Sequence, residues 1–179
     1  MQRLVDTTTT PQPGRFSIDA AGSALRFRTR HMFGLARVRG TFAIRTGAVT
    51  VAEPLADSSV YAEIDTASFD TGNDQRDRTV RSRRLLDADR YPVMTFRSSN
   101  ISREAISGTL TVRDVARPVQ LTIEEAKLSP GIITVRATTR VDRTDFGVTA
   151  YRGLAGRYLD ITIEIRSALD GTSDRPSHV

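Results

Sequence analysis

Apolar side chains recur at every second position in eight stretches of this chain. In residues 24–30, for example, Leu25 and Phe27 share one face while Arg26 and Arg28 share the other. A two-residue period is typical of a β-strand that buries one face and exposes the other. The pattern predicts an all-β protein with a distinct inside and outside. The stretches are 24–30, 38–45, 60–65, 93–98, 108–113, 119–125, 132–141 and 158–166.

Short links with turn-forming residues separate several of these stretches. Examples are "TGA" at 46–48, "ARP" at 116–118 and "SPG" at 129–131. Such links indicate antiparallel order, because a parallel crossover needs about a dozen residues or more. Two architectures satisfy the pattern, a closed up-and-down barrel and a two-sheet sandwich. The interior of a barrel with about eight strands either packs solid or holds one slender ligand.

Residues 74–86 form the one segment that favours a helix. Asn73 or Asp74 can cap its start, and the charge order, with Asp77 early and arginines late, complements the helix dipole. Pro92 prevents the helix from continuing into the next strand. The segment has few apolar residues, so it must pack against the barrel to be stable. We expect it to cover an open end.

The middle of the chain reads as one domain. Residues 1–13 and 169–179 are polar, rich in turn formers and expected to be flexible, which leaves 14–168 as a single β-domain. Residues 1–13 contain no apolar run long enough for a secretory signal peptide, so a cytoplasmic location is expected. If a leader preceded this sequence, the expected location would be periplasmic or extracellular.

Residue types that build many active sites are scarce in this chain. Cysteine is absent, which excludes disulfides, thiolate metal sites and a cysteine nucleophile. The only histidines are His31 and His178, too few for an imidazole metal site, so neither a metal nor a cofactor is predicted. The net charge of +5 is carried almost wholly by arginine, with Lys127 the single lysine. The simplest explanation of this arginine bias is the base composition of the genome. The positive charge would also favour binding to an anionic lipid headgroup or a membrane surface.

No established catalytic motif occurs in the chain. Asp142 and Asp145 could serve as paired carboxylates only if they faced each other across a cleft and one had a raised pKa. Their spacing favours a structural clamp around Arg143 instead. Asp74, Asp77, Asp87 and Asp89 are interleaved with the six arginines of residues 76–90, which favours a salt-bridged helix face over an anion site. Nucleic-acid binding is not predicted, because the basic residues are scattered and no recognition motif accompanies them.

Several segments carry a distinctive combination of motifs: "RTRHMFGLARVRGTF", "IDTASFDTGNDQRDRTVRS", "LLDADRYPVMTFRSSNI", "GTLTVRDVARPVQLTI" and "VDRTDFGV". In this order they resemble the YceI-like family of bacterial proteins, over about residues 14–168. The resemblance implies an eight-stranded antiparallel lipocalin-like barrel with one short α-helix inserted at about 74–86. It also implies a long amphipathic lipid as ligand. That lipid would be a polyisoprenoid, such as a polyprenyl diphosphate or quinone, or a fatty-acid derivative, bound for transport, storage or sequestration.

The sequence departs from the family pattern at positions near the expected mouth. Thr79 stands where relatives carry a histidine, and Arg84 where an acid is common. Leu85 and Leu86 replace an aromatic pair. These changes predict a mouth of different shape and a different preference for the polar head of the lipid.

Strand alternation and the resemblance together predict the ligand-binding residues. Leu85 and Leu86 would close one end of the barrel, and His31, Arg84 and Arg143 are the candidates for the polar head. The inward-facing residues expected along the lipid chain are Phe27, Phe42, Ile64, Met94, Phe96, Leu110, Val112, Leu121, Val135, Ile161 and Ile163.

Two other functions stay open at this point. An enzyme acting on a small hydrophobic substrate would have to use Asp142, Asp145 and Tyr151, although no catalytic residue is predicted and an enzyme is not expected. A protein-interaction module, dimeric or not, would have a barrel packed solid by its own side chains. The size of the barrel interior separates this third function from the first.

Overall fold

The computed structural model describes residues 10–171. In this range the chain forms ten β-strands, one α-helix and three short 3₁₀ helices. Expectations for residues 1–9 and 172–179 lie outside the described range, as does His178. The strands are β1 Gly14–Ile18, β2 Ala24–His31, β3 Ala36–Phe42, β4 Ile44–Val51, β5 Ser59–Asp65, β6 Val93–Ile101, β7 Ala105–Val112, β8 Val115–Ser129, β9 Ile132–Asp142 and β10 Tyr158–Leu169. The helix α1 is Asp74–Arg81, and the 3₁₀ helices are Leu55–Asp57, Thr66–Ser68 and Arg143–Phe146.

Eight of the strands close into a barrel. They pair in the order β1-β4-β5-β6-β7-β8-β9-β10, and β10 pairs back onto β1. Every pairing is antiparallel. The closed ladder confirms the eight-stranded antiparallel barrel and excludes the two-sheet sandwich, which would leave free edges.

The hairpin of β2 and β3 extends the barrel wall at one end. β10 pairs with β1 through residues 167–169 and with β2 through 160–164, so β1 and β2 follow each other along one edge of β10. Only Ala43 separates β3 from β4, and Thr41 bridges to Asp70 beyond the end of β5. The pattern of inward-facing residues therefore continues from β1 to β2 along β10, and from β3 to β4 across Ala43.

Two of the predicted turns lie inside strands and are wrong. Residues 46–48 belong to β4, and residues 116–118 belong to β8. Gly47 serves close packing instead, because a Cβ there would lie 2.5 Å from a backbone oxygen of β5. Pro118 is tolerated because β8 pairs with β9 only from Thr122 onward, which leaves the start of β8 as an edge where proline is accepted.

The helix is shorter than the predicted 74–86. The Asn73 side chain caps its start by accepting a hydrogen bond from the Arg76 N–H at 2.9 Å. Ser82 has an extended backbone and ends the helix, and the following residues form successive turns in which Asp87 is left-handed with φ 49°. The chain thus turns away from the helix axis before the two leucines at 85 and 86, and both are buried. No helix in the described part of the chain is long and apolar enough to cross a membrane.

Side-chain hydrogen bonds tie the segment before α1 to the helix. The buried Asp77 carboxylate accepts hydrogen bonds from the backbone N–H and the hydroxyl of Thr71. Arg81 donates twice to the Phe69 carbonyl, at 3.1 and 2.6 Å. Burial alone would raise the pKa of Asp77, but the bonds from Thr71 and the charges of Arg81 and Arg76 outweigh it and lower that pKa. The ion pairs formed among residues 10–171 do not involve these helix arginines, so the expected salt-bridged face is not formed.

Candidate functional site

A cavity of about 1610 Å³ occupies the interior of the barrel. It exceeds the roughly 300–1,000 Å³ of most small-molecule pockets, so it has room for a longer ligand. The barrel is therefore hollow, and the solid interior expected for an interaction module is not observed. Every strand contributes to the wall, for example through Ile18, Phe27, Val38, Ile44, Ile64, Met94, Leu110, Leu121, Val135 and Ile161.

The structure places all the inward-facing residues predicted for the lipid chain on the cavity wall. Leu85 and Leu86 line it as well, and each is less than a tenth exposed. Alternation succeeds here because neighbouring strands keep their inward residues in register across the ladder. The lining residues in question are Phe27, Phe42, Ile64, Met94, Phe96, Leu110, Val112, Leu121, Val135, Ile161 and Ile163.

One end of the barrel carries α1, His31 and the loop 148–156, and we call it the helix end. The rings of Phe27, Phe42 and Phe69 pack together here, with centroids 5.2 to 5.6 Å apart. Phe69 also lines the cavity. Sequence reasoning missed it because it lies after β5, outside any alternating stretch.

Of the three residues predicted for a polar head, two lie on the cavity wall. His31 lies at the last position of β2 and is half-buried. Arg143 also lines the cavity, and its guanidinium donates to the carbonyls of Gly156, Val148 and Ala155. These bonds hold the loop 148–156 in place.

The two arginines differ in their surroundings. Burial lowers the pKa of Arg143, and its nitrogen donors are directed to backbone oxygens. Arg84 is exposed and is not among the residues that line the cavity. It reaches the site only through Tyr151, whose hydroxyl accepts a 3.3 Å hydrogen bond from Arg84 and whose side chain does line the cavity.

One face of α1 supplies polar groups that the sequence prediction did not include. Asn73, Arg76 and Thr79 all line the cavity at the helix end, together with Gln75. The Nε of Arg76 donates to the Thr71 hydroxyl at 2.8 Å, while its Nη atoms make no hydrogen bond or ion pair within residues 10–171. The sequence feature that could have predicted them is their spacing of three and four residues, which places side chains on one face of a helix.

The carboxylates considered for catalysis do not form a facing pair in the cavity. Asp142 accepts hydrogen bonds from the N–H and hydroxyl of Thr144 and from Arg157 Nε at 2.7 Å. Burial alone would raise the pKa of Asp142, but these bonds outweigh it and lower the pKa, the opposite of what a general acid needs. Asp145 is exposed, and neither aspartate lines the cavity. Within residues 10–171 no group of three potential metal ligands occurs.

Comparison with known proteins agrees with this architecture. A sequence model of the YceI-like domain matches residues 16–169. The chain belongs to the YceI-like family. Its relatives include Protein YceI of Salmonella arizonae, 30% identical, with 90% of this chain and 91% of that protein aligned. A UPF0312 protein of Enterobacter sp. (strain 638) is also 30% identical, with 90% of each chain aligned.

Solved structures share the fold of this YceI-like barrel. BcnA of Burkholderia cenocepacia superimposes with a TM-score of 0.69 at 22% identity, covering 83% of this chain and 98% of that one. A polyisoprenoid binding domain from Saccharophagus degradans, implicated in plant cell wall breakdown, gives a TM-score of 0.69 at 19% identity. That superposition covers 86% of this chain and 98% of the other. At these identities the likeness shows the fold alone.

Proposed function

We propose that this YceI-like barrel binds one long-chain amphipathic lipid of the polyisoprenoid class, for transport, storage or sequestration. The observation that carries the proposal is the cavity of about 1610 Å³, walled by apolar side chains from every strand. The Saccharophagus degradans domain, which shares the fold, is described as polyisoprenoid binding, and this supports the ligand class. The lipid chain would lie inside the barrel with its polar head at the helix end.

Burial of the lipid chain supplies the driving force. Each Å² of apolar surface removed from water contributes roughly 25 cal/mol. Phe96 and Leu121 pack in one buried cluster of the wall and Phe27 and Met94 in another, so apolar contact continues along the barrel. Such a wall selects for length and apolar character, because it offers few hydrogen-bond partners.

The helix end suits an anionic head. A guanidinium can bind phosphate with two parallel hydrogen bonds, and the Nη atoms of Arg76 make no hydrogen bond to the described residues. His31 lies on the wall at the same end. We therefore favour a polyprenyl phosphate or diphosphate over a neutral quinone.

The ligand can be identified by native mass spectrometry of purified protein followed by organic extraction. We expect a mass increment in the native spectrum and a polyisoprenoid in the extract. An empty barrel that also fails to take up added polyprenyl phosphate would contradict the proposal. Turnover of the extracted lipid that is lost in Asp142→Asn would support an enzyme instead.

Substitution of a wall residue tests the location of the chain. Phe96→Arg should abolish lipid retention, because the new charge would lie unpaired in the apolar cavity. Thr95→Arg is the matched control, since it adds the same charge at the neighbouring position of β6, which faces outward and does not line the cavity. Retention should be measured by native mass spectrometry on variants whose circular dichroism matches the parent protein. Full retention in a folded Phe96→Arg would show that the chain binds elsewhere.

A second substitution tests the head. Arg76→Gln should weaken binding of polyprenyl phosphate by about tenfold or more, since a charge-assisted hydrogen bond contributes about 1.5–3 kcal/mol. Arg78→Gln is the control, because Arg78 lies on the same helix, is exposed and does not line the cavity. Equal affinities of the two variants, measured by fluorescence displacement, would remove Arg76 from the head site. Polyprenol, which lacks the phosphate, should bind both variants alike.

A further inference from the structure

The tip of the β2–β3 hairpin exposes large apolar side chains. Met32, Phe33 and Leu35 are 51%, 81% and 87% exposed, and Leu154 on the adjacent loop is 53% exposed. We call these four residues the apolar tip. Within residues 10–171 the only other large hydrophobic side chain with comparable exposure is Tyr158, at 47%. Clustered exposed apolar residues of this kind indicate an interaction surface rather than chance.

The backbone of the tip makes its apolar composition more informative. Met32 and Phe33 both adopt left-handed conformations, with φ of 51° and 55°. Asparagine and glycine are the residues that such a hairpin turn prefers, and bulky side chains are rare there. The N–H groups of Met32 and Phe33 donate to the carbonyls of Leu154 and Gly153 at 3.0 and 2.7 Å, which joins the two loops. The Phe33 ring lies against Gly153, yet most of its surface stays exposed, so packing within the protein accounts for little of this apolar surface.

Positive charge lies directly behind the apolar tip. In β2 and β3, Phe27 and Val38 face the cavity, so the arginines at alternate positions face outward. Arg28 lies opposite Arg39, and Arg30 lies opposite Arg37. Like charges in such pairs destabilise a hairpin unless an anion compensates them. The outward arginines of the hairpin are Arg26, Arg28, Arg30, Arg37 and Arg39.

Internal carboxylates compensate only part of this charge. Arg26 pairs with Glu164 at 3.2 Å, and Asp160, which lies opposite Arg28, pairs with Arg140 at 2.7 Å. Neither Arg37 nor Arg39 takes part in an ion pair in the described range. An external anionic surface would complete the pairing.

We propose that the β2–β3 hairpin docks this protein on an anionic lipid bilayer. The apolar tip would enter the boundary between headgroups and acyl chains, and the outward arginines would contact the anionic headgroups. A bilayer suits both features at once, because the apolar residues lie at the very end of the hairpin and the charges surround its stem. A nucleic acid would use the charges but leave the tip exposed to water.

The docking surface adjoins the mouth of the cavity. Thr29 and His31 of β2 and Leu154 of the tip itself line the cavity. A barrel docked through this hairpin would place its helix end at the membrane, so a lipid could pass between bilayer and cavity with little exposure to water. This use of the surface rests on the proposed lipid-binding function, whereas docking itself does not.

Vesicle binding tests the docking directly. The full chain should co-sediment with vesicles of phosphatidylcholine and phosphatidylglycerol, and much less with phosphatidylcholine alone. Arg37→Glu/Arg39→Glu should weaken this binding by at least about 25-fold, because each basic residue near an anionic surface contributes about fivefold. Arg45→Glu/Arg117→Glu is the matched control, since both residues are exposed on strands of the barrel and the net charge changes equally. Equal loss in both pairs would mean that net charge, not the hairpin, binds the membrane and would overturn the proposal.

The absence of tryptophan from the sequence allows a second, independent readout. In Phe33→Trp the emission should shift to the blue on anionic vesicles and be quenched by lipids brominated in the acyl chain. Tyr61→Trp, on the side of the barrel, should show neither effect. Unchanged emission of Phe33→Trp on bound vesicles would contradict insertion of the tip.

The remaining outcomes separate docking from the proposed function. Retained cavity lipid without vesicle binding would overturn docking and leave the lipid-binding function standing. Vesicle binding by a protein that takes up no lipid into its cavity would support docking and overturn the lipid-binding function. A dimer that Phe33→Ser/Leu35→Ser converts to a monomer, with no affinity of the parent for vesicles, would assign the tip to a second copy of this chain.

Discussion

Both ends of the barrel contain a buried apolar cluster, but the helix end adds charged side chains that bond to its loops. At the far end, opposite α1, a buried apolar cluster is formed by Phe16 of β1, Val51 at the end of β4 and Ile133 near the start of β9. At the helix end, Asp77 and Arg143 hold loops in place through directional hydrogen bonds to a threonine and to backbone carbonyls. Apolar packing stabilises without fixing orientation, whereas polar bonds fix geometry. The end proposed to hold the polar head is therefore the end whose loops are also positioned by charged side chains.

Loss of the far-end cluster should cause the largest change in stability. Phe16 is 1% exposed, so Phe16→Ala should lower the free energy of unfolding by about 3–5 kcal/mol. Phe33→Ala, at the exposed tip, should change it by less than about 0.5 kcal/mol. Urea unfolding measures both values. A small loss in Phe16→Ala would mean that the far end does not depend on packing.

Loss of a polar bond at the helix end should cost less but act locally. Asp77→Asn should lower the free energy of unfolding by about 1–3 kcal/mol, since a charged acceptor of two Thr71 donors becomes neutral. Asp89→Asn, in the exposed turn after α1, is the control. Hydrogen exchange should accelerate in residues 69–81 and stay unchanged in β1. Uniform acceleration along the chain would remove the distinction between the ends.

Acid should weaken the helix end before the far end. The folded-state pKa values of Asp77 and Asp142 are both lowered from the ordinary value of 3.8. A carboxylate of this kind stabilises the fold above its unfolded pKa, and the contribution is lost as pH falls through the folded pKa. Below about pH 3.8, hydrogen exchange should therefore rise at the helix end first.

The double variant Asp77→Asn/Asp142→Asn provides the control for this pH dependence. It should be less stable at neutral pH and show a flatter decline in acid. Simultaneous exchange at both ends in the parent and in the variant would show that these two carboxylates do not govern acid stability.

Sequence alternation predicted most of the strands and the inner wall more accurately than the ends, whereas the choice of a barrel over a sandwich came from the family resemblance. It missed β1, because this strand has only five residues and two inward apolar positions, Phe16 and Ile18. It placed turns at Gly47 and Pro118, because glycine and proline usually break strands. Here Gly47 allows close packing against β5, and Pro118 lies on an edge of β8 that β9 does not pair with. Local propensity cannot distinguish these roles, because they depend on strands distant in the sequence.

The proposed head site shows the same limit of sequence analysis. The sequence analysis named Arg84 as a candidate contact for the polar head, but Arg84 lies beyond the end of the helix and off the cavity wall. Arg76, interpreted from the sequence as part of a salt-bridged face, lies on the wall instead. Arg76 lies on α1, which Asp77 and Arg81 hold against the preceding segment through bonds to Thr71 and Phe69, whereas Arg84 lies in the turns after the helix.

The sequence by itself determined which side chains face inward, because successive residues of a strand must point to opposite sides. It also determined the family, through motifs spread along nearly the whole domain. Only the tertiary structure decided that the interior is hollow and that an apolar hairpin tip lies beside its mouth. The volume of a barrel depends on how all eight strands close together, and the neighbours of a loop come from segments far away along the chain.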